Sequence, residues 1–345
     1  MQRQLKLAVS GAVFLLGIFC VSNLLAEVTI ENGFKYGGWE NCIRMSNGTV
    51  ELIATTDVGP RIIRYGFVGK ENFFYEDPKQ LGKTNSDEWM AFGGHRLWLS
   101  PEGKPRSYHP DSKKVEAYEK DGGVLLIQPV ETDNGVQKQM LIKMAPTGSH
   151  VTLDHKLTNK NLWDIDVAPW TLTLMAPGGK AIFPQEPYFP HPDIPDFPGQ
   201  KIDKKYYLSV RTLVLWSYTN MADPRWTFLN KYIVLQQDTK ATKPQKIGMS
   251  NKQNWGAYLN HGQMFVKKNV YKEGAEYPDH GCSFETFTNP VLLELEGLGP
   301  MAKLAPNGGS TDYREDWYLF DGVKADSTDE SIDKNVLPKV ESIMK

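Results

Sequence analysis

The sequence predicts an all-β protein, a sandwich or barrel of antiparallel strands with few short helices. Three observations carry that expectation. Apolar and polar residues alternate with period two in runs such as VQKQMLIKM and VTLDHKLTN. The runs are separated by turn signals, Asp-Gly-Gly, Asp-Asn-Gly and Pro-Thr-Gly, at intervals of about 8 to 12 residues. Stretches with a helical period are scarce, and the best is DESIDKNVLPKVESIMK at the end of the chain.

Taken in order, Met1 to Ala26 read as a secretory leader. Arg3 and Lys6 supply a positive start, Leu7 to Val21 an apolar run, and no acid precedes Glu27. Cleavage is expected after Ala26, with Ser22 offering another site, and the destination is periplasmic or secreted. An uncleaved anchor is the alternative, since the run is roughly long enough to span a bilayer.

Residues 27–325 form one domain on this reading. Within it, CIRMS, TVELIATT, RIIRYGFV and NFFYE are short strands, the first two joined by the hairpin signal Asn47-Gly48. A second strand block, VEAYEK to VTLDHKLTN, covers Val115 to Asn159. TLVLWSY, KYIVLQQ, YLNHGQMFVKK and EDWYLF continue the pattern. Two segments read as irregular: Thr84 to Pro110, which holds FGGHRLWLSPE, and Phe183 to Gly199, which is rich in Pro and aromatics. Long loops in a compact domain are usually functional, and a stiff Pro-rich loop is suited to walling a cleft. Residues 326–345 form a tail, with Pro338 placed to break or bend its helix.

Composition narrows the partners. The 345 residues carry a formal net charge of -2, 40% hydrophobic and 11% aromatic residues, 22 Pro and 30 Gly, the make-up of a turn-rich globular protein. Basic residues form no stripe, so nucleic acid is not expected as a partner. Beyond the leader the cysteines are Cys42 and Cys282, either a disulfide or two buried thiols. No phosphate loop, dinucleotide fingerprint, HExxH or GxSxG occurs.

The chemistry concentrates in CSFETFTN and VLLELEGLGP, Cys282 to Pro300. Alternation puts Glu285 and Phe287 on one side of the first strand, and Leu292, Glu294 and Glu296 on one side of the second. Crowded, partly buried carboxylates raise one another's pKa, so one can act as base and another as acid. Trp89, Trp98, Trp170, Trp216, Trp226 and Trp255 offer flat apolar faces for sugars. His95 and Arg96 follow Gly93-Gly94, where the backbone can approach a ligand closely. His109, Glu102, His191 and His280 complete the candidates. Neither His95, Glu102 and His109 nor Asp279, His280 and Glu285 have diagnostic metal-ligand spacing, and no metal is assigned.

These residues resemble the galactose mutarotase-like superfamily, which includes the aldose 1-epimerases. The resemblance lies in GPRIIRYGFVGKENFF, FGGHRLWLSPE, LTNKNLWDIDVAPWTLTLMAPGG and CSFETFTNPVLLELEGLGPMAKLAPNGG with EDWYLF. It is nearest to a bacterial mutarotase-like group of unassigned function. It implies a β-supersandwich, a base at Glu294 or Glu296, His95 and Arg96 at the cleft, and Glu285 as a substrate contact. Trp98, Trp170 and His191 are further candidate sugar contacts. A departure stands beside the matches: Ala168-Pro169-Trp170-Thr171 occupies the stretch where the enzymes carry an acid His, so His95, His191 or a protonated Glu would have to replace it. The implied partner is a mono- or oligosaccharide, with no cofactor, and with membrane contact only through an uncleaved leader. The readings left open are an aldose epimerase, a non-catalytic carbohydrate-binding protein, and an accessory unit of a polysaccharide lyase or hydrolase.

Overall fold

Two antiparallel sheets pack face to face in the computed structural model, which describes residues 27–187 and 208–344. The first strands are β1 (Thr29–Tyr36), β2 (Trp39–Ser46), β3 (Val50–Thr55), β4 (Arg61–Phe67), β5 (His95–Ser100), β6 (Glu116–Lys120) and β7 (Gly123–Ile127). The middle strands are β8 (Val136–Met144), β9 (Val151–Asn159), β10 (Ile165–Met175), β11 (Lys180–Pro184), β12 (Leu213–Leu215), β13 (Trp226–Phe228) and β14 (Tyr232–Gln236). The last are β15 (Gln245–Met249), β16 (Trp255–Asn260), β17 (Gln263–Asn269), β18 (Phe284–Thr288), β19 (Leu293–Leu298), β20 (Ala302–Leu304) and β21 (Ser310–Asp321). The larger sheet runs β1-β2-β3-β4-β5-β10-β19-β18-β15-β12, with β20 pairing to β10. The smaller runs β13-β14-β11-β16-β17-β21-β9-β8-β7-β6.

Alternation along each strand divides the apolar side chains between layers. Ile62, Phe74, Phe284, Leu293 and Leu295 of the larger sheet's side meet Phe183, Tyr258, Phe265 and Trp317 of the smaller sheet in the main core. The smaller sheet's outer face is apolar as well: Val234, Trp255, Ala257 and Val266 pack beneath the C-terminal tail. That tail folds as two short helices, α2 (Asp329–Asn335) and α3 (Leu337–Glu341), after a one-turn helix α1 (Pro278–Gly281) earlier in the chain. Ile332, Val336 and Val340 are buried against the sheet, so the tail is a fixed cap. The Thr328 side chain accepts from the Ser331 amide at the start of α2, and Pro338 sits in the first turn of α3, where its missing N–H costs nothing.

The hairpin signal at Asn47-Gly48 joins β2 to β3 as expected. One expectation is corrected. Thr84 to Pro110 is not irregular throughout, because His95–Ser100 is a central strand between β4 and β10. All six of its residues are buried, so neither face is wet and the period-two signature disappears. NFFYE makes isolated bridges, Phe74 to Met175 and Glu76 to Gly93, in place of a strand. Most of the Pro-rich segment, with His191, lies outside the described residues, as does the leader. Cys42 and Cys282 are separate buried thiols. No helix among the described residues is long and apolar enough to cross a membrane.

Gly93 and Gly94 open β5 with φ of 110° and 71°. Their close approach is to protein rather than to a ligand, since a Cβ on Gly94 would collide with the Ile62 carbonyl and one on Gly93 with that of Tyr75. Arg61, fully buried, ties this loop down: its guanidinium donates to Ala91 O (2.9 Å) and Gly93 O (2.6 Å) and pairs with Asp111 (2.7 Å). Gly94→Ala is therefore expected to destabilise by about 2–5 kcal/mol, combining backbone strain with overpacking. Gly148 has the same φ of 71° but open space around it, so Gly148→Ala should lose only the backbone part. Parallel urea unfolding of the two variants measures the difference.

Candidate functional site

Five neighbouring strands of the larger sheet, β5-β10-β19-β18-β15, build a hollow on the face turned away from the smaller sheet. Register sets the outward side chains in rows. Trp98 lies opposite Trp170, and Trp170 opposite Leu298. Arg96 lies opposite Leu172, Leu172 opposite Glu296, and Glu296 opposite Glu285. In the third row Leu174 faces Glu294, Glu294 faces Phe287, and Phe287 faces Lys246. Two acidic strands thus meet on one face, while their alternate residues Phe284, Leu293 and Leu295 enter the core.

The hollow has a volume of about 450 Å³, within the range of small-ligand sites. Its lining includes Trp89, Trp98, Tyr108, Trp170, Arg96 and Glu294. Trp98 meets Trp89, Tyr108 and Trp170 edge to face at 5.6, 5.0 and 5.4 Å, so the aromatic wall is braced ring against ring. The Arg96 guanidinium lies over Trp89 (5.1 Å) and Trp98 (4.5 Å). Tyr218 and Lys246 also line it, and Glu102, bonded to the Tyr108 hydroxyl, is exposed beside it.

The three carboxylates differ in their surroundings. Glu296 is fully buried, and its Oε2 accepts from Trp170 Nε1 and Lys246 Nζ, both at 2.9 Å. Glu285, also buried, pairs with Lys246 at 2.8 Å. Burial, with Glu296 nearby, holds Glu285 well above the usual carboxylate range despite Lys246. Burial works to lower the Lys246 pKa, but Glu296 and Glu285 outweigh it and hold the ammonium charged. Glu294 is the carboxyl that lines the hollow, and it forms no ion pair with a described residue. Burial first, then Glu296, raise it to about 7 against the pull of Arg96 and Lys246.

His95 does not reach the hollow, which corrects its expected place at the cleft. It precedes Arg96 on β5, so alternation points it between the sheets. There its Nδ1 is 2.9 Å from Thr173 Oγ1 and its Nε2 3.3 Å from His155 Nε2. Burial holds both imidazoles low, His155 at about 4. Glu315 completes the one trio with metal-ligand proximity among the described residues. Its carboxylate already accepts from Lys267 (2.8 Å), Trp317 Nε1 (3.0 Å) and Thr171. The buried Lys267 also donates to Thr171, Thr173 and Leu295 O, each at 3.1 Å. This is a buried polar core that joins the sheets, with the Glu315 carboxylate and the Lys267 ammonium engaged and His155 Nδ1 left without a partner.

Arg96, Trp98, Trp170 and Glu294 therefore converge on the hollow, Glu285 and Glu296 lie behind Lys246, and His191 is outside the described residues. Lys246 escaped sequence reasoning because its strand, QKIGM, alternates Lys with Gly on that face and shows no amphipathic pattern. Tyr75, Tyr108 and Tyr218 carried no local signal either.

No protein-family model matches the chain, and no curated protein sequence does. Solved structures do resemble it. A TPR-domain containing protein from Parabacteroides distasonis superposes with a TM-score of 0.52 at 11% identity, over 83% of this chain and 49% of that one. This chain thus spans about half the length of that relative. A galactose mutarotase-like protein from Lactobacillus casei gives 0.49 at 10% identity, over 81% and 100% of the two chains. One from Clostridium acetobutylicum gives 0.41 at 9%, over 86% and 99%. Two packed antiparallel sheets, with three short helices among the described residues, make this chain an all-β sandwich, and identities this low carry the fold alone.

Proposed function

We propose that the hollow binds a sugar and that Glu294 is the general base that interconverts its anomers. The observation that carries this reading is a carboxyl raised to about 7 on the lining of an aromatic-walled cavity. A base with that pKa is half-ionised at neutral pH and takes up a proton readily. Glu294 removes the proton of the anomeric hydroxyl as the bond from the anomeric carbon to the ring oxygen breaks. The ring oxygen accepts a proton from a phenol on the lining, Tyr108 or Tyr218, and reclosure on the other face returns both protons. Arg96 orients the sugar, and the tryptophan faces pack its C–H surfaces. The leader-like start of the chain supports action in the periplasm or outside the cell.

A second reading is binding without turnover. It is favoured by the proton donors: burial pushes Tyr218 up to about 12 and Tyr108 above that, and no histidine among the described residues lines the hollow. NMR exchange between anomers, measured across common aldoses with and without the protein, separates the two. Acceleration supports catalysis, and binding without acceleration supports the second reading. If no sugar binds, both readings fall.

A further inference from the structure

Arg96 is an unpaired cation in this hollow. Its side chain is nearly buried, at 2% exposure, yet it forms no ion pair with a described residue. Its Nη1 donates only to Ala91 O at 3.2 Å, and its Nε has no acceptor. The two tryptophan faces beside it offer a quadrupole, which offsets part of the lost hydration but leaves the planar N–H fork unsatisfied. The other buried cations near it are matched: Lys246 by Glu285 and Glu296 at 2.8 and 2.9 Å, Arg61 by Asp111 at 2.7 Å. A buried, unmatched guanidinium is costly to leave so, and a ligand anion removes the cost.

We propose that the hollow is built for a sugar that carries a carboxylate, a uronic acid or a glycan ending in one, with the carboxylate on Arg96 and the anomeric end toward Glu294. This rests on the sugar-binding reading above and names its substrate class. Geometry supports it. Arg96 and Glu294 stand on β5 and β19 with β10 between them and two residues out of register, so their backbones are about 12 Å apart at ~4.8 Å per strand and ~3.4 Å per residue, a span that one pyranose ring bridges between two long side chains on the same face. A single guanidinium matches a carboxylate through two parallel N–H bonds, whereas a phosphate dianion calls for a second free cation, and Lys246 is already paired. The opposing charges are Glu294 itself, held near half-ionisation, and Glu102 and Asp77 on the lining; Glu102 is exposed, so solvent screens it.

The test is calorimetric titration of the full folded chain with glucuronate and galacturonate, with glucose and galactose, and with glucose 6-phosphate. The uronates should bind about 10- to 100-fold more tightly than their neutral counterparts. Arg96→Gln should remove that preference: because Arg96 also orients the sugar, neutral-sugar affinity falls too, but uronate affinity falls further, until the two are equal within a few-fold. Should this variant not fold, Arg96→Lys keeps the charge, loses the fork, and should narrow the preference. Equal or tighter binding of the neutral sugars overturns the proposal while leaving the sugar-binding reading intact. Preference for the phosphate over the uronates overturns the assignment of a carboxylate. Absence of binding by every sugar overturns both the proposal and the reading beneath it.

Discussion

Glu294→Gln is expected to lower the rate of anomer exchange by about 10²- to 10⁴-fold, the usual contribution of a positioned proton-transfer group. The amide keeps the shape and loses the base. Glu296→Gln should act differently, because its carboxylate is engaged by Trp170 and Lys246 and does not line the hollow. Its effect should appear mainly in stability. The wild-type rate should climb as pH rises through about 7 and then level, since Glu294 must be ionised to accept a proton. Stability should move the other way. A carboxyl whose folded pKa is raised from 4.5 to about 7 makes the native state bind more protons than the unfolded chain between those values. Its contribution therefore falls as pH rises through that window, and Glu294→Gln should be the more stable protein above pH ~7, by about 1–3 kcal/mol. Below pH ~4 the difference should vanish. Saturation-transfer NMR and urea unfolding at matched pH measure both. A Gln variant that exchanges anomers at the wild-type rate would remove Glu294 as the base.

Lys246→Met is expected to destabilise the fold by about 3–5 kcal/mol at pH 8, because it strands two buried carboxyls without their shared ammonium. The methionine fills most of the volume, so packing contributes little. Protonation relieves the stranded charge, so the loss should shrink as pH falls toward 5. The triple variant Lys246→Met, Glu285→Gln, Glu296→Gln should recover a large part of the stability, since a buried ion cluster is harmful mainly when broken in half. Urea unfolding at pH 8 and pH 5 checks each step. A single variant as stable as wild type at pH 8 would mean that water reaches Glu285 and Glu296 more freely than their burial allows.

Much of the sandwich was legible because strand alternation and turn chemistry are local. VQKQMLIKM and VTLDHKLTN became β8 and β9, Asn47-Gly48 made its hairpin, and the acidic residues of β18 and β19 came together by register as their spacing required. Failures clustered where a strand is buried on both faces. HRLWLS and QKIGM carry no polar stripe, so neither the position of β5 in the centre of the sheet nor the recruitment of Lys246 could be read locally.

From the sequence by itself came the all-β character, the order of the strands along the chain, and the fact that Glu285, Glu294 and Glu296 share one side of a strand pair. Alternation specifies which residues lie on the same side and is blind to which side is inward. Only packing of the second sheet decided that. Because Trp317, Glu315 and Lys267 of the smaller sheet cover one face of β5 and β10, His95 turned into the interlayer, Arg96 turned into the hollow, and Glu294 became the carboxyl a ligand can meet.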